Sequence, residues 1–173
     1  MNRYSFRIAC IVFLVIGLAG AAAAQGRGCS NDMLKGAWGY TETGSVIAPT
    51  PTGGTVVLLA AAVGRYDFDK AGNFEGEQYS SANGVVGPDT KQGTYTINRD
   101  CTGTLTLTAY RGGVAQRESV WAFVINDDGR EMRAIVTKMV AVTPYPPPND
   151  RISLMPIMTM TATRGIPGRE HDK

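Results

Sequence analysis

Residues 89–110, DTKQGTYTINRDCTGTLTLTAY, decide the fold. The first half sets Tyr95 and Ile97 on one face against Thr94, Thr96 and Asn98, and the second half sets Leu105, Leu107 and Ala109 against Thr104, Thr106 and Thr108. A period of two marks a β-strand with one buried face, because successive side chains point to opposite sides. Between the halves, Arg99, Asp100, Cys101, Thr102 and Gly103 supply polar turn residues, so the stretch reads as a closed hairpin.

The same rhythm runs outward in both directions. Upstream, Trp38, Tyr40 and Glu42 share one parity, followed by the loop IAPTPTGG, whose prolines and glycines forbid continuous pairing. The run TVVLLAAAV at 55–63 is apolar without alternation and fits a covered strand or a short buried helix equally well. Tyr66 and Phe68 then alternate with Arg65, Asp67 and Asp69, and the turn Lys70-Ala71-Gly72-Asn73 leads into a returning strand with Phe74, Gly76 and Gln78 on one face.

Downstream, Arg111-Gly112-Gly113 turns into a strand at 114–125 whose second half, SVWAFVI, is apolar on both faces, and Asn126-Asp127-Asp128-Gly129 turns again. Met132, Ala134 and Val136 face away from Arg133, Ile135 and Thr137; a proline-rich loop follows at 143–150. The last strand, 152–164, carries Pro156, which places that end at an edge or bulge, and sets Met158, Met160, Ala162 and Arg164 on one face. Short strands joined by hairpins predict an all-β domain over 35–164, a single antiparallel up-and-down β-barrel of about eight strands. The alternative is a β-sandwich. The barrel is preferred because consecutive hairpins need no crossover and closure leaves no exposed edge.

The N-terminus carries Arg3 and Arg7, an apolar run from Ile8 to Leu18, and Ala22-Ala23-Ala24, the order of a secretory signal peptide over 1–24. The expected location is therefore periplasmic or secreted, with an N-terminal arm at 25–34, a disordered tail at 165–173, and no membrane span once the leader is removed. Cys10 leaves with the leader; Cys29 and Cys101 remain, and an even pair in a small exported domain predicts a disulfide. The chain holds 17 Lys and Arg against 15 Asp and Glu, and loss of Arg3 and Arg7 brings the two signs into balance. That balance, with no basic stripe, argues against a nucleic-acid partner.

Common catalytic chemistries are missing. The sole histidine, His171, lies in the tail, which removes His-based triads and multi-histidine zinc sites. No G-x-S-x-G, P-loop or G-x-G-x-x-G motif occurs. Asp67, Asp69, Glu75 and Glu77 flank one turn and could offer calcium its oxygens, but a solvated polar face with Asp69 capping the turn is the plainer reading. No metal, cofactor or catalytic residue is assigned. Glu42 points inward if its strand runs on, as an acid or ligand contact, whereas Gly44 and the strand's end favour its release to solvent at the barrel mouth.

Gly36-Ala37-Trp38 at the first strand, with Arg164 near the end of the last, resembles the pattern of the calycins, the lipocalin-like barrels. The resemblance implies a tryptophan at the barrel base with an arginine packed across its indole. The runs YDFDKAGNFEG and GTYTINRDCTGT also resemble small exported bacterial proteins with an allene-oxide-cyclase-like barrel. The expected function is non-catalytic binding of a small apolar or amphipathic ligand inside the barrel, lined by Trp38, Tyr40, Glu42, Tyr66, Phe68, Leu105, Leu107, Met158 and Met160. Cys29, Cys101, Trp38 and Arg164 would be structural. The alternatives are an isomerase or cyclase of the allene-oxide-cyclase-like class, and an envelope interaction or inhibitor barrel acting through its loops, Tyr145 in PYPPP among them. Nothing in the sequence specifies the oligomeric state.

Overall fold

The computed structural model describes residues 28–126, 128–142 and 151–165, and within them eight antiparallel strands close into one barrel. They are β1 (Gly36–Pro49), β2 (Thr55–Phe68), β3 (Asn73–Ala82), β4 (Val85–Ile97), β5 (Thr102–Arg111), β6 (Val114–Ile125), β7 (Glu131–Ala141) and β8 (Ile152–Arg164). Each strand pairs with the next in sequence, and β1 pairs with β8 from Trp38↔Arg164 to Ile47↔Met155, which closes the ring. The sandwich alternative is excluded by that closure. The leader, the proline-rich loop with Tyr145 and the tail with His171 lie outside the described residues.

The opening hairpin is β4 and β5, with Tyr95 opposite Leu105 and Ile97 opposite Gly103. Residues 55–63 belong to β2, which settles the helix-or-strand ambiguity. Alternation is hidden there because both faces are apolar: Leu58, Ala60 and Ala62 turn inward, while Leu59 and Val63 stand on the outer wall, 67% and 59% exposed. Pro156 falls where the β7–β8 register breaks between Ile135 and Met139, a position that needs no ladder hydrogen bond from it.

One end of the barrel is filled. Trp38, Tyr66, Phe68, Phe74, Tyr95 and Trp121 are all buried there. Phe68 meets Tyr95 edge-on at 5.2 Å and Phe74 meets Tyr66 edge-on at 5.1 Å, geometries that aromatic quadrupoles favour. The N-terminal arm plugs this end. Leu34 is fully buried in the core, and the Trp38 indole Nε1 donates to the Leu34 carbonyl at 2.7 Å. The Tyr95 hydroxyl donates to the carbonyls of Asn31 and Asp69, and burial, with Asp69 and Asp32 nearby, pushes its pKa up to about 12. Arg164 donates to the Met33 carbonyl and lies over the Trp38 ring, 5.4 Å from its centre, the arrangement the calycin resemblance implies.

Cys29 and Cys101 are joined by a disulfide across 72 residues of sequence, and Cys29 N–H also donates to the Arg99 carbonyl. The bond ties the plug to the β4–β5 turn. A loop of that length removes on the order of 4 kcal/mol of chain entropy from the unfolded state. Replacing both cysteines by serine is expected to lower the unfolding free energy by about 2–4 kcal/mol in urea titration. A change under about 0.5 kcal/mol would mean that the arm docks without help from the crosslink.

Candidate functional site

All nine side chains expected to line the interior are buried in it. Of the two positions considered for Glu42, the interior one holds and release at the mouth does not: β1 continues to Pro49, parity holds, and Glu42 is 2% exposed. Gly44 does not end the strand. It lets β8 approach, since a Cβ there would sit 2.1 Å from the Ile157 carbonyl oxygen and 2.6 Å from the Met158 Cα.

Around Glu42 the interior turns polar. Lys91 of β4 reaches across the lumen and donates through Nζ to Glu42 Oε1 at 2.5 Å and to the Tyr66 hydroxyl at 3.1 Å. The Tyr66 hydroxyl in turn donates to Glu42 Oε1 at 3.3 Å. Lys91 Nζ also lies 4.9 Å from the centre of the Tyr40 ring, which stacks on Tyr66 at 4.1 Å, so two aromatic faces help hold the ammonium. Tyr40 fits because residue 64 is glycine: a Cβ there would be 2.7 Å from the Tyr40 hydroxyl.

A second cluster adjoins the first. The Tyr40 hydroxyl donates to Gln78 Oε1 at 3.0 Å, and Gln78 Nε2 donates to Asp89 Oδ2 at 3.0 Å. Ser80 donates to the same oxygen at 2.6 Å, and Arg111 Nε donates to Asp89 Oδ1 at 2.7 Å. Among the described residues no buried side-chain nitrogen or oxygen lacks a partner. Lys91, Gln78, Asp89, Ser80 and Arg111 did not emerge as site residues from the sequence. Parity was the available signal, since Asp89 and Lys91 alternate in step with the inward Tyr95, and Gln78 with the inward Phe74.

Burial governs the protonation of this belt. It lowers the Lys91 pKa, against the pull of the neighbouring Glu42 carboxylate, which favours keeping the proton, and Arg117 adds to the lowering. It raises the phenols of Tyr40 and Tyr66 well above their ordinary value, with the Glu42 charge adding to both, so they remain proton donors. For Asp89 burial works upward, but hydrogen bonds from Arg111, Ser80 and Gln78 together with the Arg117 charge outweigh it and hold the carboxyl below its ordinary range.

Beyond the belt, toward the mouth, lies a cavity of about 140 Å³. Its walls include Val46, Ala60, Ala62, Leu154 and Met158, with Glu42 and Arg117 among its polar edges. The barrel is therefore packed at one end and hollow at the other. Of the nine expected lining residues, Glu42 and Met158 face this cavity. The four carboxylates Asp67, Asp69, Glu75 and Glu77 stand on the outer wall; Asp67 pairs with Arg65 at 2.9 Å, and Asp69 caps the turn by accepting from Asn73 N–H at 2.7 Å. Among the described residues, no group of three or more His, Cys, Asp or Glu is placed to hold a metal ion.

The architecture, an all-antiparallel eight-stranded ring with tryptophan and arginine crossing at its sealed base, fits a calycin-like barrel. Among solved structures the chain is similar to EF1p2_mFAP2b bound to DFHBI, with a TM-score of 0.50 and 13% identity over 81% of this chain and 100% of that one. At that identity the likeness is one of fold. No protein-family model and no curated protein matches the sequence. Among the described residues no helix is long and apolar enough to cross a membrane.

The Lys91–Glu42 pair is sealed from water, with side chains 1% and 2% exposed. Breaking such a pair strands one charge, whereas replacing both members by apolar groups is often neutral or better. Lys91→Met alone is expected to destabilise the fold by about 3–5 kcal/mol, and Lys91→Met with Glu42→Leu to recover most of that loss, both read by chemical denaturation. Equal stability of the single and double variants would show that the pair is not coupled.

Proposed function

We propose that this protein is an exported, lipocalin-like barrel that binds one small apolar or amphipathic molecule at its mouth end, without catalysis. The observation that carries this reading is the cavity of about 140 Å³, walled by small and aliphatic side chains above a polar floor. An apolar cavity of roughly 150 Å³ is enough to take up benzene. Its hollowness has a residue-level cause: the inward positions of β2 are Leu58, Ala60 and Ala62 near the mouth but Tyr66 and Phe68 at the base. The fold shared with EF1p2_mFAP2b, which is bound to DFHBI, supports the reading as fold and no further. The signal-like stretch at 1–24 and the Cys29–Cys101 disulfide, a bond that persists in oxidising compartments, support a periplasmic or secreted location.

A second reading, an isomerase or cyclase of the allene-oxide-cyclase-like class, is favoured by one observation, the Glu42 carboxylate at the cavity floor. Lys91 and Tyr66 already occupy that carboxylate, so the binding reading is preferred. Action on an envelope partner through the loop at 143–150 would involve residues outside those described.

Benzyl alcohol, a neutral ring of suitable size, is expected to bind one-to-one in calorimetric titration. Ala62→Leu, which fills the cavity, should weaken that binding about tenfold or more while the protein stays folded. Affinity unchanged by Ala62→Leu would place the ligand elsewhere and sink the proposal.

A further inference from the structure

Strand parity turns five charged side chains into the barrel: the carboxylates Glu42 and Asp89, and the cations Lys91, Arg111 and Arg117. Two cations are matched. Lys91 pairs with Glu42 at 2.5 Å and Arg111 with Asp89 at 2.7 Å. The third is not, for among the described residues Arg117 takes part in no ion pair.

Its inward placement is fixed by register. Arg117 lies opposite Ala109 of β5, which is fully buried, and opposite Ala141 of β7, while Ser119, two residues along β6, is buried as well. The adjacent Glu118 points to the other face and pairs with Arg151. Arg117 thus borders the cavity, and its charge acts on the groups inside: it works against the proton on Lys91 and helps keep Asp89 ionised. Arg117 is half-buried, and a planar oxyanion is the partner its donor fork fits best.

We infer that the cavity takes a compact organic carboxylate, its apolar body among Val46, Ala60, Leu154 and Met158 and its anionic group paired with Arg117. This rests on the ligand-binding reading above and adds the chemical class. The volume of about 140 Å³ admits a body the size of one aromatic ring, so a long acyl chain does not fit within it. Because the remaining interior charges are already paired, the bound anion brings the whole interior to neutrality.

Benzoate and benzyl alcohol share a ring and differ by one charge, and calorimetric titration of both into the native protein at pH 7 tests the inference. Benzoate is expected to bind about ten to a hundred times more tightly, the range for a hydrogen bond to a charged group. Arg117→Gln should erase that preference, and Arg117→Lys should keep part of it. Equal affinity of the two ligands for the native protein would overturn the carboxylate assignment while leaving the cavity a binding site. Failure of both to bind would remove the binding reading and this inference with it. The comparison on the native protein needs no variant, so it stands even if Arg117→Gln does not fold.

Discussion

Closure of eight strands on themselves gives this protein a single interior of fixed volume, and everything else follows from what each inward position puts there. Large aromatic side chains on β1 to β4 and on β6 fill the base, and the arm carrying Leu34 seals it, crosslinked through Cys29 to the β4–β5 turn. Alanine at positions 60 and 62 leaves the other end hollow. Packing density normally excludes voids larger than a water molecule, so an interior that is tight at one end and empty at the other is a distribution of volumes that folding alone does not require.

The belt between the two halves is the energetically expensive part. A buried lysine and glutamate lose their hydration, and their attraction repays that loss only when the remaining hydrogen-bonding capacity is met. Here Tyr66 contributes a hydroxyl to both members, and the Tyr40–Gln78–Asp89 chain extends the network to Arg111. Such a network also fixes register, because a slip of one residue in β4 would turn Asp89 and Lys91 onto the outer wall. With the belt internally matched, the charge left facing the cavity is that of Arg117.

Much of the fold was legible because alternation survives on strands such as β4 and β5, whose outward positions are mostly threonine. Trp38, Tyr40, Tyr66, Phe68, Leu105, Leu107, Met158 and Met160 were all recognised as inward from parity, and all are buried. Residues 55–63 defeated the same reasoning because Leu59 and Val63 leave the outer face apolar too. The polar belt was hidden for a different reason. Glu42 and Lys91 lie 49 residues apart on strands that do not pair, and they meet only across the lumen once the ring has closed. A charged residue at an inward position looks like an error in parity until its partner is known, and for Glu42 parity and the cost of burying a charge pointed in opposite directions.

The central claim is that a ligand occupies the hollow end and leaves the packed end untouched. Methyl-resolved NMR during titration with benzoate tests it most directly. The account predicts saturable shifts at Ala60, Ala62, Leu154 and Met158, with Leu105, Ile125 and Met132 of the filled base unmoved. Shifts confined to the exposed wall residues Leu59, Val63 and Ile157, or no shifts at all, would contradict it.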